Sequence, residues 1–168
     1  MKVILIAAIS ANGKIAEHVD QNSLDWTSKE DTHFFIQKTK EIGCMIMGQK
    51  TFMTINKPLK ERLIVVLSDR EVIPAIPGSL EYTVKPFPEI LAELEARGFK
   101  EVAICGGASV YGAFMKAGLV DELYLTVEPV LFGGGLPLAE NFGRINLELL
   151  GVEKLGEQSV NLHFKVKK

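Results

Sequence analysis

VAICGGASVYGAF, residues 102–114, joins an apolar run of strand length to a helix through two adjacent glycines. A strand that turns through glycine into a helix start is the unit from which open α/β sheets are built. Working outward, similar apolar runs predict strands at Val3–Ile9, Cys44–Met47, Leu63–Leu67 and Leu123–Val127, besides Val102–Cys105. Their apolar residues do not alternate cleanly with polar ones, as expected of strands covered on both faces. Helical stretches fall between them, at about Ser28–Glu41, Lys50–Ile55, Pro88–Arg97 and Ala108–Ala117, with Gly98 and Gly118 closing the last two. The tail differs: Leu147–Leu155 and Val160–Val166 alternate and are joined by GEQS, which predicts an antiparallel hairpin. The fold class is therefore α/β, with a mainly parallel sheet, and residues 1–168 are expected to form one domain.

Composition narrows the function classes. The chain of 168 residues is 47% hydrophobic and 24% charged, with a net charge of −2 and no basic block. Nucleic acid and anionic membrane both demand a concentrated basic footprint, so neither is an expected partner. The opening MKVILIAAIS leads straight into the turn ANGKI and reads as a buried strand rather than a leader. Cys44 and Cys105 sit in apolar runs, which suits reduced thiols in a cytoplasmic protein, and no Cys/His spacing resembles a metal site.

In an open α/β sheet, ligands bind beyond the carboxyl ends of the strands. Those ends are ISANGK, MGQKTF, LSDR, CGGASVY and LTVEP. Gly106 and Gly107 allow close approach of a ligand to the backbone, and the helix start after them favours phosphate, although many such turns use glycine only to turn. Tyr111, one turn on, is of a type more often found in a core than in catalysis. Gly48, Lys50 and Thr51 repeat the arrangement, either as a pyrophosphate site or as a plain surface helix. Ser68 and Arg70 form a third strand end, suited to a ribose phosphate or simply solvated beside Asp69. In LDWTSKEDTHFF, residues 24–35, Thr27 and Glu30 suggest a capping box that starts a helix at Ser28, with Asp31 in its second turn and Phe35 on the same face. Taken alone, Asp31 complements the helix dipole. Walled by Trp26, it becomes a carboxylate of raised proton affinity, suited to acid–base work or to gripping an amidine-like group. Arg62 is a surface arginine or a clamp for a substrate carboxylate. Thr126 is a strand residue that can also reach Asp31.

In this order, the segments LIAAIS…GKI, W…D…FF, IMGQKTF…INKPLKERLIVVLS, CGGASVY and LYLT resemble the dihydrofolate reductase family over almost the whole chain. The resemblance implies an eight-stranded, mainly parallel sheet with an antiparallel C-terminal hairpin and helices on both faces. It also implies NADPH-dependent reduction of 7,8-dihydrofolate to tetrahydrofolate, in one-carbon metabolism, by a monomer or homodimer. Asp31, Trp26 and Tyr111 then take catalytic roles, with Thr126 bonded to Asp31. Ile6, Ala8, Phe35 and Ile55 line the substrate, and Arg62 clamps its α-carboxylate. Ala8, Ile15, Gly106, Gly107 and Tyr111 surround the nicotinamide, and Gln49, Lys50, Thr51, Leu67 and Ser68 contact the adenine half and pyrophosphate. Gly48, Arg70, Cys105, Ala108, Ser109 and Val110 are further cofactor-binding positions. The resemblance further implies a cis Gly106–Gly107 peptide.

The chain departs from that family in a longer loop after the first strand, in Asp25 before the tryptophan, in Gln49 after Gly48 and in Ala108. NGKIA, WTSKED, GLVDELYLTVEP and LFGGGLPL look instead like the riboflavin-pathway reductases, which reduce a 5-amino-6-(ribosylamino)uracil phosphate. LFGGGLPL and the long loop are also candidates for a subunit contact. A pterin offers a carboxylate two donors side by side, whereas a uracil-type ring places a carbonyl there, so Asp31 favours the folate substrate. A nucleotide-binding module without catalysis is the third reading, and it has no use for a walled acid.

Overall fold

The computed structural model describes residues 1–168. In chain order the strands are β1 (Lys2–Ser10), β2 (Lys14–Ala16), β3 (Cys44–Gly48), β4 (Leu63–Leu67), β5 (Leu80–Thr83), β6 (Glu101–Ile104), β7 (Glu122–Glu128), β8 (Leu136–Pro137), β9 (Asn146–Leu155) and β10 (Ser159–Lys167). The helices are α1 (Lys29–Ile42), α2 (Gln49–Ile55), α3 (Phe87–Ala96) and α4 (Ala108–Lys116), with a short 3-10 turn at Ser23–Asp25. Eight strands form one sheet in the order β5-β4-β3-β6-β1-β7-β10-β9. β1 lies inside it, parallel to β6 and β7, and β10 runs antiparallel to both β7 and β9.

The missing alternation in the apolar runs has a direct cause. Successive residues of β1 enter opposite cores: Val3, Leu5 and Ala7 pack with Ile90, Leu94 and Phe114 of α3 and α4, while Ile4 and Ile6 pack with Ile42 and Phe52 of α1 and α2. A strand with helices over both faces must be apolar at every position. β9 has no such cover on either face: the adjacent Leu149 and Leu150 are both exposed and only Leu155 is buried, so its alternating sequence does not mark one half-buried face as expected.

Three features differ from expectation. β5 is an additional strand, parallel to β4. Only Leu80 of its four residues is buried, which left no apolar run to detect. The cap of α1 is Ser28 rather than Thr27: its hydroxyl accepts from the Asp31 N–H at 3.1 Å, which puts Asp31 in the first turn, not the second. Ser28 is held there because Glu128 binds both its N–H (2.9 Å) and its hydroxyl (2.7 Å). Finally, the glycine-rich segment after β7 leads into β8, which pairs with β2 beside the strand ends. No helix is long and apolar enough to cross a membrane.

Gly135, at φ +100°, makes the β2–β8 contact possible. A Cβ there would lie 2.1 Å from the carbonyl oxygen of Ala16. Gly135→Ala is expected to force the two strands apart and to lower stability by about 1–3 kcal/mol. Thermal unfolding checks this, since an unchanged melting temperature contradicts the contact.

Candidate active site

The carboxyl ends of β1, β3, β4 and β6 open into a cleft of about 1320 Å³. Two of these ends are joined, since the Gly48 N–H donates to the Gly106 carbonyl at 2.8 Å. The Gly106–Gly107 peptide is cis. A side chain suits neither glycine: a Cβ on Gly107 would press on the Thr51 hydroxyl at 3.3 Å, and Gly106 stands at φ +110°, a conformation that L residues rarely adopt. Tyr111 is buried and donates to the carbonyl of Ile6 at 2.7 Å, which binds α4 to β1 under the cleft. Burial pushes its phenol well above the ordinary range, so it stays a neutral donor. No side chain caps α4. Its first residues, Ala108, Ser109 and Val110, line the cleft; the Val110 N–H is taken by the Gly107 carbonyl at 2.9 Å, while Ala108 and Ser109, at the helix start, have no intrahelical acceptor for theirs.

Asp31 enters from the opposite wall, on the first turn of α1. Burial raises its carboxyl from the ordinary 3.8 to about 6, the Thr126 hydroxyl draws it back down by hydrogen bonding, and the Glu128 charge pushes it up again. The Thr126 oxygen accepts from Asn161 Nδ2 at 3.0 Å. That bond occupies the oxygen and leaves the hydroxyl proton for Asp31.

Further along the same wall lies Arg62, only 8% exposed. Its Nη1 donates to the Thr39 hydroxyl (2.8 Å) and its Nε to the Lys60 carbonyl (3.2 Å). Its neighbour Glu61 is turned away into an ion pair with Lys40. Arg62 thus meets only neutral partners, and three of its five N–H groups are left for the cleft it lines. Between Asp31 and Arg62 the wall is apolar, formed by Phe35, Ile36, Ile55 and Leu59.

Most of the expected site residues line this one cleft. Ile6, Ala8, Ile15 and Cys105 border its centre, with the paired glycines and Tyr111. Gly48, Gln49, Lys50, Thr51 and Leu67 border the β3–β4 end. Four residues lie elsewhere. Trp26 does not wall the acid: it packs edge-on against Phe132, ring centroids 5.1 Å apart, with its Nε1 buried and unpartnered. The long loop turns its neighbours Leu24 and Thr27 to the cleft instead. Thr126 lies one layer below, under Asp31. Ser68 and Arg70 form a closed exposed turn, in which the Ser68 hydroxyl accepts from the Arg70 N–H and donates to the Arg70 carbonyl, both at 2.9 Å.

Sequence reading passed over Thr39, Asn161 and Glu128. Thr39 carried a usable signal, since it follows Asp31 and Phe35 at helical spacing. Glu128 was the one carboxylate at the end of an apolar run. Asn161 had no signal, because alternation places it equally well on a solvated face.

Residues 2–133 match the family described as Dihydrofolate reductase. The chain belongs to the dihydrofolate reductase family. As a member it is an oxidoreductase. It is 32% identical to the dihydrofolate reductase type A13 of Escherichia coli, over 83% of this chain and 82% of that one. It is 49% identical to the riboflavin biosynthesis protein RibD of Bacillus amyloliquefaciens over 49 residues, 29% of this chain and 13% of that protein. Among solved structures, a putative riboflavin biosynthesis protein from Shewanella sp. PV-4 superposes over the whole of both chains with a TM-score of 0.79 at 22% identity. The dihydrofolate reductase fold therefore accommodates both sets of motifs seen in the sequence.

Proposed function

We propose that the chain reduces 7,8-dihydrofolate to tetrahydrofolate with NADPH. The observation that carries this reading is Arg62, a guanidinium buried among neutral partners and facing the cleft with free donors. A buried cation without an acid is costly unless a ligand supplies one. A planar carboxylate at the end of a substrate suits its fork, and the apolar wall between Arg62 and Asp31 suits the intervening ring.

The residues present fit the cofactor. The uncapped start of α4, the open backbone of the glycine pair, and Lys50 and Thr51 at the other strand end offer the N–H groups, hydroxyl and cation that a dinucleotide needs. The chemistry supplied by that cofactor is a hydride. The chain's own part is to bind and orient. Asp31 accepts the paired donors of the pterin edge, Thr126 keeps that carboxylate oriented, and the apolar walls exclude bulk water. Its affinity for a proton, raised by burial, polarises the ring toward protonation by a single water.

A second reading, reduction of the riboflavin-pathway ribosylaminouracil phosphate, is favoured by the 49% identity to RibD. NADPH oxidation with each substrate separates the two. Oxidation with dihydrofolate and none with the pyrimidine is expected. The reverse result replaces the first reading by the second, and oxidation with neither favours a binding module.

A further inference from the structure

β7 ends in a carboxylate that neither reading employs. Glu128 is 2% exposed, and no lysine or arginine pairs with it. Three donors satisfy it instead. One oxygen accepts from the N–H and the hydroxyl of Ser28, at 2.9 and 2.7 Å, and the other from the Ser159 hydroxyl at 2.6 Å. The same Ser28 hydroxyl accepts from the N–H of Asp31. One buried carboxylate thus binds the start of α1, the end of β7 and the start of β10.

We propose that Glu128 is a positioning residue for Asp31, acting on it through the Ser28 cap and, across space, by its own negative charge. The proposal rests on Asp31 being the acid that meets the substrate. Two routes support it. The first is mechanical: Asp31 sits three residues into α1, so whatever anchors Ser28 sets the depth to which Asp31 enters the cleft. The second is electrostatic. Glu128 is two residues from Thr126 on β7 and so shares its face. The groups facing Asp31 are Glu128 and the Thr126 hydroxyl from β7 and the Tyr111 hydroxyl from α4, and none of them is a cation. Around Glu128 itself, β10 offers Ser159, α1 offers Ser28, and the β1 partner in register is Ser10. Burial and a like charge therefore act on Asp31 in the same direction, with no positive group to oppose them.

The test follows the Asp31 carboxyl by carbon-13 NMR during a pH titration of the protein alone, assigned by its loss in Asp31→Asn. Glu128→Gln keeps an acceptor for Ser28 but removes the charge, and the Asp31 midpoint is expected to move to lower pH. Glu128→Asp keeps the charge and is expected to bring the midpoint back toward that of the native protein. A merely structural Glu128 would change the melting temperature and leave the midpoint alone, so an unmoved midpoint in folded Glu128→Gln overturns the proposal. Should that variant fail to fold, Ser159→Ala carries the test. Glu128 then loses the donor that ties it to β10, its carboxylate is no longer fixed beside the Ser28 cap, and the Asp31 midpoint is again expected to move to lower pH; no change overturns the proposal. The titration needs no substrate, so it is independent of which ring is reduced. A wrong substrate shows only in the NADPH oxidation assay.

Discussion

Asp31→Asn is expected to lower turnover of dihydrofolate at neutral pH by about 10²–10³-fold while NADPH binds as before. The asparagine matches the shape of the carboxylate but carries no charge, and its amide nitrogen meets the donors of the pterin edge as another donor. The cofactor contacts proposed above lie on α2 and α4, away from the substitution, so NADPH affinity serves as the internal control. Steady-state rates and an NADPH fluorescence titration measure the two quantities. Unchanged turnover removes Asp31 from the mechanism, and loss of both turnover and NADPH affinity indicates a damaged fold instead.

The same variant carries a stability prediction of opposite sign. The Asp31 carboxyl is raised from 3.8 to about 6 in the folded protein, so the folded state holds the proton more tightly than the unfolded one. Its contribution to stability is full below the unfolded value and is lost as pH rises through about 6. Above that pH the ionised, buried group costs about 3 kcal/mol at roughly 1.4 kcal/mol per unit. Asp31→Asn is therefore expected to be more stable than the native protein at pH 8 and to lose that advantage at pH 4. Denaturant unfolding at the two pH values reads the difference directly. A site that is costly when ionised and necessary for turnover is the pattern expected of function held against stability.

Arg62→Ala is expected to raise KM for dihydrofolate by about 100-fold, with a smaller change in kcat, because the clamp holds a part of the substrate remote from the reacting carbon. Two charge-assisted hydrogen bonds of the fork are lost together. The deciding comparison is a dihydropterin substrate without the carboxylate tail, for which the native protein and the variant are expected to have similar kcat/KM. An equal loss with both substrates would mean that Arg62 serves only to hold Thr39 and the Lys60 carbonyl in place. Arg62→Lys retains the charge without the fork, and an intermediate KM is expected.

Much of this architecture is legible in the chain because it depends on local physics. β1 is apolar throughout since Val3 and Ile4 enter different cores, and Gly98 and Gly118 end helices because they take the left-handed conformation that favours glycine. The glycine pair and Arg62 each had a plain alternative, a turn and a surface arginine, and gained a role only through their order with the other segments of the family pattern. The errors share one cause. Thr27 and Ser28 are both good caps, and the choice fell to Ser28 through Glu128, a hundred residues away. Trp26 is next to the cleft in sequence, yet the indole is claimed by Phe132 from the segment after β7.

Residue order alone determined the layered α/β sheet, the strand ends where ligands gather, and the types of side chain brought there, since periodicity and turn chemistry act over a few residues. Tertiary structure decided which polar groups meet beneath those ends: Asn161 with Thr126, Ser159 and Ser28 with Glu128, and Thr39 with Arg62. Side-chain hydrogen bonds between distant segments have no period, and only the packed sheet and helices bring their atoms within 3 Å of one another.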